Sequence, residues 1–496
     1  MAQAGPSRAE LPGLRVDARG RSHPRGDAEG GMALCTRYCL AFAQGALWLL
    51  LSLLDLVLLP LFGSRRCLRR ALGRPAAAAR DSEGRQPAAV YGASASAGET
   101  SPEAALSGGG PLVVVIVGAS WGGLAACHQL ADDPRFRVVL IDRREFFEYT
   151  PGILRLFCQP GLHGSMARKL PKGSHKSVLG QVTSTSHDHV VLGDSTRIGF
   201  DYLILATGAD YRQPITPSSS DVTLASRAAT WHEEAAKVRT ARSVLVLGGG
   251  AVGTELAAEI VCHFPEKRVT IVDGAPNLVF RFPPKTIEKT ESWFRSRGVE
   301  LVLDEPLEKW DTGSCTFRSG RVIEADLVYV CLGMQCNTEC VAKGDLASSL
   351  STRKEVQVNE FFQVNGHSNI FAVGDAMSHP SREIKQAYYA EMNGCCAAKN
   401  VIRHAQGEAL LNYPEAIAGA PASPLVYVVS LGRYDGSLGF NSLVVNGAVA
   451  ALVKWILEWT KVAQVEGRPI GTFVWAIADA ITFWLSRTVL PPDKGK

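Results

Sequence analysis

Two stretches of the 496-residue chain place glycine where a phosphate could come against the backbone: VVVIVGASWGG from Val113 to Gly123, and VLVLGGGAVG from Val244 to Gly253. In each, an apolar β-rich run enters a turn of small residues and leaves into a helical pattern. Backbone N–H groups and the positive end of a helix therefore face one anion-sized space. An acidic residue closes the next apolar run in both: Asp142 lies 19 residues past Gly123, and Asp273 lies 20 past Gly253. A carboxylate there can accept ribose hydroxyls. One such turn is weak evidence in a chain with 48 glycines, but two with strand, helix and acid in register are strong evidence for two dinucleotide sites. The second turn, Gly248, Gly250 and Gly253, is intact. The first reads Gly118, Ser120, Gly122 and Gly123, and Ser120 sets a Cβ and a hydroxyl where a pyrophosphate comes closest, which puts its affinity in question.

The order of elements around these turns predicts an α/β fold. After the first unit come EYTPGILRLF and several short alternating runs. STRIGFDYLILATGAD then ends a buried strand in Ala206, Thr207 and Gly208, small residues that let backbone amides cross back over the first nucleotide. The second unit runs from about Ala241 through ADLVYVCLGMQCN to Asn337, and SNIFAVGDAMSH brings a further strand to Gly374 and Asp375. This order predicts two Rossmann-like domains, the second inserted in the first. Residues 111–235 and 346–415 would bind one dinucleotide and 236–345 the other.

A net charge of +4, spread along the chain, argues against nucleic acid as a main partner. Twelve cysteines without regular spacing fit a reduced compartment rather than a disulfide framework, and no spacing suggests a metal site. No CxxC occurs, so a dithiol that could relay electrons to a soluble disulfide is missing. Cys158, the CxxxC of Cys336 and Cys340, and the adjacent Cys395 and Cys396 read as ordinary, partly buried thiols.

Residues 1–37 read as disordered. Residues 38–64 carry Asp55 as their only charge and are long enough to cross a bilayer. Asp55 and Pro60 equally suit a hairpin or in-plane anchor. Arg65, Arg66, Arg69, Arg70 and Arg74 follow, which puts the catalytic domain on the cytosolic side, and residues 65–110 read as a flexible linker. In the last region, 416–496, two helices are expected. From Ala448 to Val462 the charges Lys454, Glu458 and Lys461 share one face, and Leu452, Trp455, Ile456 and Trp459 another. Ile470 to Leu485 carries Phe473, Trp475, Phe483 and Trp484 with Asp479 as its only charge. At that length it suits the membrane interface, or a homodimer contact, better than a span.

Across about residues 111–460 the chain resembles the two-dinucleotide-binding flavoproteins of pyridine nucleotide-disulfide oxidoreductase fold. Within them it is similar to the type II NADH dehydrogenases and the ferroptosis-suppressor group of apoptosis-inducing-factor homologues. The resemblance implies FAD on the first turn, with Gly118, Gly123 and Asp142, closed over by the ATG segment and held along its ribityl chain by Asp375. It implies a nicotinamide nucleotide on Gly248, Gly250, Gly253 and Asp273. Glu255 in GTELAAEI corresponds to the family's glutamate near nicotinamide and flavin, and Lys385 in IKQAYYAEMNG to its flavin-proximal lysine.

The chemistry so implied is hydride transfer from NADH to FAD and delivery of two electrons to a membrane quinone, with Lys385 stabilising developing negative charge and Glu255 orienting the nicotinamide. Asp273, with no arginine directly after it, favours NADH over NADPH. Two other readings share the pattern: a sulfide:quinone reductase using Cys158, Cys331 or Cys336, and a redox-sensing protein whose output is partner binding. The expected location is a membrane surface facing the cytosol: endoplasmic reticulum, lipid droplet or mitochondrial outer surface.

Overall fold

The structure is a computed structural model that describes residues 110–418 and 422–488. The expected disordered N-terminus, the anchor at 38–64 and the linker to residue 109 lie outside the described residues. None of the described helices is long and apolar enough to cross a membrane.

The LVVVIV run forms β1 (Leu112–Val117), whose last four residues are buried on both faces as a parallel sheet covered by helices requires. It leads through the first glycine turn into α1 (Trp121–Leu130). β2 (Phe136–Asp142), β3 (Lys176–Leu179) and β4 (Tyr202–Leu205) join β1 in parallel. Val114 sits between Val138 and Tyr202 in that register.

The second sheet repeats the plan. β5 (Ser243–Leu247) enters α2 (Ala251–His263), and β6 (Arg268–Val272), β7 (Glu300–Val302) and β8 (Leu327–Val330) complete a parallel sheet of order β7-β6-β5-β8. The chain then returns to the first sheet. β9 (Ile370–Ala372) pairs with β4, giving the order β9-β4-β1-β2-β3, so the second sheet is inserted between two strands of the first. The helix Leu224–Thr240 runs across the expected boundary at 235/236.

After β9, α3 (Ala387–Ala405) lies against α1 at a separation only glycine permits: a Cβ on Gly394 would stand 2.1 Å from the Gly122 carbonyl oxygen. A three-stranded antiparallel sheet (Val426–Ser430, Gly436–Phe440 and Leu443–Asn446) precedes α4 (Ala448–Val465) and α5 (Pro469–Thr488). One hydrophobic core joins the first sheet, the inner face of the second and the C-terminal helices, reaching Val462 and Trp475. The outer face of the second sheet, with Leu245, Leu247 and Val272, has its own small core against Cys315 and Phe317.

Candidate functional site

Gly118 turns the chain out of β1 with φ of +105°, and a Cβ there would lie 2.2 Å from the Ala206 carbonyl oxygen. At Gly123 the Cβ would meet the Gly118 carbonyl oxygen at 1.7 Å. These two glycines are dictated by backbone packing, the first by strand-to-strand approach and the second by helix against strand. Ser120 is different. It has φ of −104°, caps α1 without a side-chain capping bond, and needs no left-handed backbone. Its counterpart Gly250, at φ of −70°, also has no left-handed backbone, and a Cβ there would meet open space. The turn therefore folds with serine at its middle position.

Both acids are held alike. Asp142 accepts the Ala119 N–H at 2.7 Å and the Arg144 N–H at 2.8 Å, and Asp273 accepts the Gly249 N–H at 2.6 Å and the Ala275 N–H at 2.7 Å. Each carboxylate thus clamps its turn to the following strand end and keeps lone pairs for a ribose.

The opposite wall of the first site comes from Ala206, Thr207 and Gly208. The Ala206 N–H donates to the Val117 carbonyl at 2.8 Å, and Gly208 turns at φ of +68°. Asn337 fixes this segment: its N–H donates to the Gly208 carbonyl at 2.9 Å and its side-chain amide to the Thr207 carbonyl at 3.1 Å. The Thr207 hydroxyl is buried without a partner among the described residues, as a group awaiting a ligand would be. Between the walls lies a cleft with about 580 Å³ of empty space, lined in part by Gly118, Asp142, Arg143, Arg144, Thr207 and Asn337. It opens at the C-terminal strand ends, where open α/β sheets take ligands. Asn337 and the two arginines were not singled out for the site from sequence, because a loop asparagine and surface-type arginines carry no periodic signal.

Gly374 and Asp375 follow β9. A Cβ on Gly374, at φ of +73°, would touch the Ala390 Cβ at 3.3 Å, so the start of α3 abuts this turn. The same Ala390 presents its carbonyl oxygen 3.0 Å from where a Cβ on Gly122 would be. Burial pushes the Asp375 carboxyl up, and the Lys385 ammonium opposes it. Lys385 donates to the Met377 carbonyl, and the Cys336 thiol donates to the Asp375 carbonyl at 3.5 Å, so Lys385 and Cys336 both meet the turn that follows β9.

In the second turn Gly248, at φ of +112°, passes a Cys331 carbonyl oxygen that would lie 2.6 Å from a Cβ, and Gly253 repeats the helix-on-strand contact at 1.9 Å. Glu255 is buried. It accepts the Ser430 N–H at 2.7 Å and its hydroxyl at 3.0 Å, and pairs with the Lys454 ammonium. Lys454 belongs to α4. The charged face expected on that helix points inward: Lys454 meets Glu255, Glu458 meets Arg155, and Lys461 meets Glu391 at 2.6 Å. Leu452, Trp455, Ile456 and Trp459 are left half-exposed. On α5 the exposed residues Phe473, Ile477, Ile481 and Trp484 fall on one apolar stripe. These helices turn apolar surface outward, the reverse of an ordinary surface helix.

Of the candidate thiols, burial pushes Cys331 up to about 12 and raises Cys158 further, so neither is a thiolate near neutral pH. Cys336 is half-buried, and burial raises it too.

Residues 112–394 match the model of the pyridine nucleotide-disulphide oxidoreductase family. Ferroptosis suppressor protein 1 of Xenopus tropicalis is 29% identical over 362 residues, covering 69% of this chain and 92% of that one. The FAD-dependent oxidoreductase FVFD30 of Flammulina velutipes is 31% identical over 296 residues, covering 57% and 88%. Among solved structures, the sulfide:quinone oxidoreductase of Aquifex aeolicus superposes with a TM-score of 0.62 at 18% identity over 76% of this chain and 95% of that one. NDH2 of Plasmodium falciparum in complex with NADH superposes with 0.55 at 16% identity, over 77% and 99%.

Proposed function

Because the chain belongs to the pyridine nucleotide-disulphide oxidoreductase family, we propose that it is an FAD-dependent NADH:quinone oxidoreductase working against a membrane surface. The observation that carries this reading is the pair of equivalent glycine turns on two sheets, each clamped by its own acid, with Asp375 and Lys385 close together after β9.

Bound FAD supplies the redox centre, accepting a hydride and releasing two electrons. The chain supplies the rest. Gly118 and Gly123 let a pyrophosphate reach the N-terminus of α1, Asp142 takes ribose hydroxyls, and the unpartnered Thr207 hydroxyl and Asp375 carboxylate offer polar contacts along the cleft. The Lys385 ammonium stabilises negative charge that develops beside it. At the second turn Asp273 accepts ribose hydroxyls and repels a 2′-phosphate, which selects NADH over NADPH. Glu255, held by Ser430 and Lys454, orients the nicotinamide end. The apolar stripe of α5 seats the protein on a lipid surface, where a quinone acceptor is dissolved.

The Aquifex aeolicus neighbour is a sulfide:quinone oxidoreductase by name, but a sulfide reaction needs a reactive thiolate, and burial raises all three candidate thiols, Cys158 and Cys331 strongly and the half-buried Cys336 as well. The test is steady-state NADH oxidation by the full chain loaded with FAD and bound to phospholipid vesicles, with a short-chain ubiquinone analogue as acceptor. Turnover with NADH well above that with NADPH supports the reading. Sulfide as the better donor contradicts it.

A further inference from the structure

Reduction of a quinone to a quinol takes two electrons and two protons. NADH brings both electrons and one proton as hydride, so the balance NADH + H⁺ + quinone → NAD⁺ + quinol draws one proton per turnover from water. Where α3, α4 and α5 meet, the chain gathers a set of buried and partly buried ionisable groups that the chemistry above does not use.

Glu391, on the second turn of α3, is 7% exposed. One of its carboxylate oxygens takes the Lys461 ammonium at 2.6 Å, and the other, Oε2, is buried with no partner among the described residues. Lys461, from α4, also donates to the Gln464 side chain at 2.8 Å and lies 4.7 Å from the Trp121 ring centroid and 5.2 Å from that of Trp475. Asp479, partly buried, comes from α5 one helical turn beyond Trp475, the residue by which that helix meets Lys461, so it lies on the inward side of the helix whose outer stripe is apolar. The Tyr388 hydroxyl, also on α3, is buried without a partner among the described residues, and the charges of Asp479 and Glu391 act on it.

This cluster adjoins the first site through covalent neighbours. Trp121 follows Ser120 of the first glycine turn, and Ala390, next to Glu391, is the residue that touches both Gly122 and Gly374. Here a carboxylate oxygen and a phenol are left without partners among the described residues, so both can accept and release a proton.

We propose that Asp479, Glu391 and Lys461 form the relay that carries the proton from the lipid-facing helices to the acceptor, an inference that rests on the quinone reading. Burial first, and then the Glu391 charge, hold the Asp479 carboxyl up at about 7, against the pull of Lys461. Around it stand Glu391, Tyr388 and Cys395 of α3 and Lys461 of α4. Glu383 acts further out on Tyr388, and Lys399 on Cys395.

The experiment uses the full chain with FAD on vesicles, in stopped flow, with Asp479→Asn, Glu391→Gln and the restoring variant Asp479→Glu. The expected result is that Asp479→Asn and Glu391→Gln slow oxidation of the reduced protein by a ubiquinone analogue on the order of 100-fold. Reduction by NADH, and oxidation by ferricyanide, which takes electrons alone, keep their wild-type rates, and Asp479→Glu recovers most of the loss. In wild type the quinone rate is level below about pH 7 and falls above it, as the acid loses its proton; the Asp479→Asn profile is flat across that range. Independently of activity, infrared spectra of the flavin-free protein show a protonated carboxyl band that titrates near pH 7 and is absent from Asp479→Asn. A quinone rate unchanged in both variants, or a ferricyanide rate that falls with it, overturns the relay. A wild-type protein that NADH reduces but quinone does not oxidise overturns the quinone reading, and the relay with it.

Discussion

Replacing Lys454 by methionine isolates the contact that ties α4 to the second dinucleotide site. In the variant Glu255 stays about as buried as its present 8% exposure, with only the Ser430 N–H and hydroxyl left as donors. Removing one member of a buried ion pair costs about 3–5 kcal/mol, because the remaining charge is uncompensated. The two surviving hydrogen bonds place Lys454→Met at the lower end, about 3 kcal/mol. Glu255→Gln costs a similar amount, since the buried Lys454 ammonium then keeps only neutral acceptors, the amide oxygen and the Ser430 hydroxyl at 2.9 Å, and loses its counter-charge. The double variant has no stranded charge and recovers about 2 kcal/mol relative to either single one. With Tm moving roughly 2–4 °C per kcal/mol in domains of 150–250 residues, Lys454→Met melts roughly 6–12 °C below wild type, and the double variant regains roughly 4–8 °C of that. The assay is thermal unfolding followed by tryptophan fluorescence across the four-protein cycle. A double variant that falls by the sum of the single losses refutes the pairing, because coupled neighbours must depart from additivity.

Four further outcomes follow from the same geometry. Gly123→Ala, whose Cβ would stand 1.7 Å from a backbone oxygen, abolishes flavin retention on gel filtration, while Ser120→Gly changes it by less than about threefold, since neither residue strains that backbone. Asp273→Asn lowers kcat/KM for NADH by about 10- to 100-fold, as loss of a charged hydrogen-bond acceptor worth about 1.5–3 kcal/mol requires, and narrows its advantage over NADPH. Cys331, at about 12, is only about one part in 10⁴ thiolate at pH 8, so iodoacetamide labels it in the native protein far more slowly than after denaturation. Changing Phe473, Ile477, Ile481 and Trp484 to serine removes up to about 1.5–3 kcal/mol of apolar burial for each side chain on a lipid surface, and the protein then remains in the supernatant when vesicles are sedimented.

The glycine turns were legible from sequence because their rules are steric and local: a strand, a left-handed residue, a helix start and an acid about 20 residues on. The return of β9 to the first sheet was legible from the order of apolar runs. Periodicity correctly grouped Lys454, Glu458 and Lys461, and it showed the apolar residues on another face. It could not say which face turns inward, because the partners Glu255, Arg155 and Glu391 lie far away in sequence and only the fold brings them close. The backbone angles show that the first turn forms with Ser120 without positive φ, while the effect of its Cβ and hydroxyl on pyrophosphate affinity is what the Ser120→Gly comparison reads. Asn337, which pins Thr207 and Gly208, sits in a loop whose role depends on the crossing of two distant segments.

The central claim is tested most directly by anaerobic stopped-flow absorbance of the full chain with bound FAD, mixed first with NADH and then with a short-chain ubiquinone analogue. The account predicts rapid bleaching of the flavin band followed by rapid recovery on addition of the quinone. A flavin band that NADH leaves intact, or one that stays bleached in the presence of quinone, contradicts it.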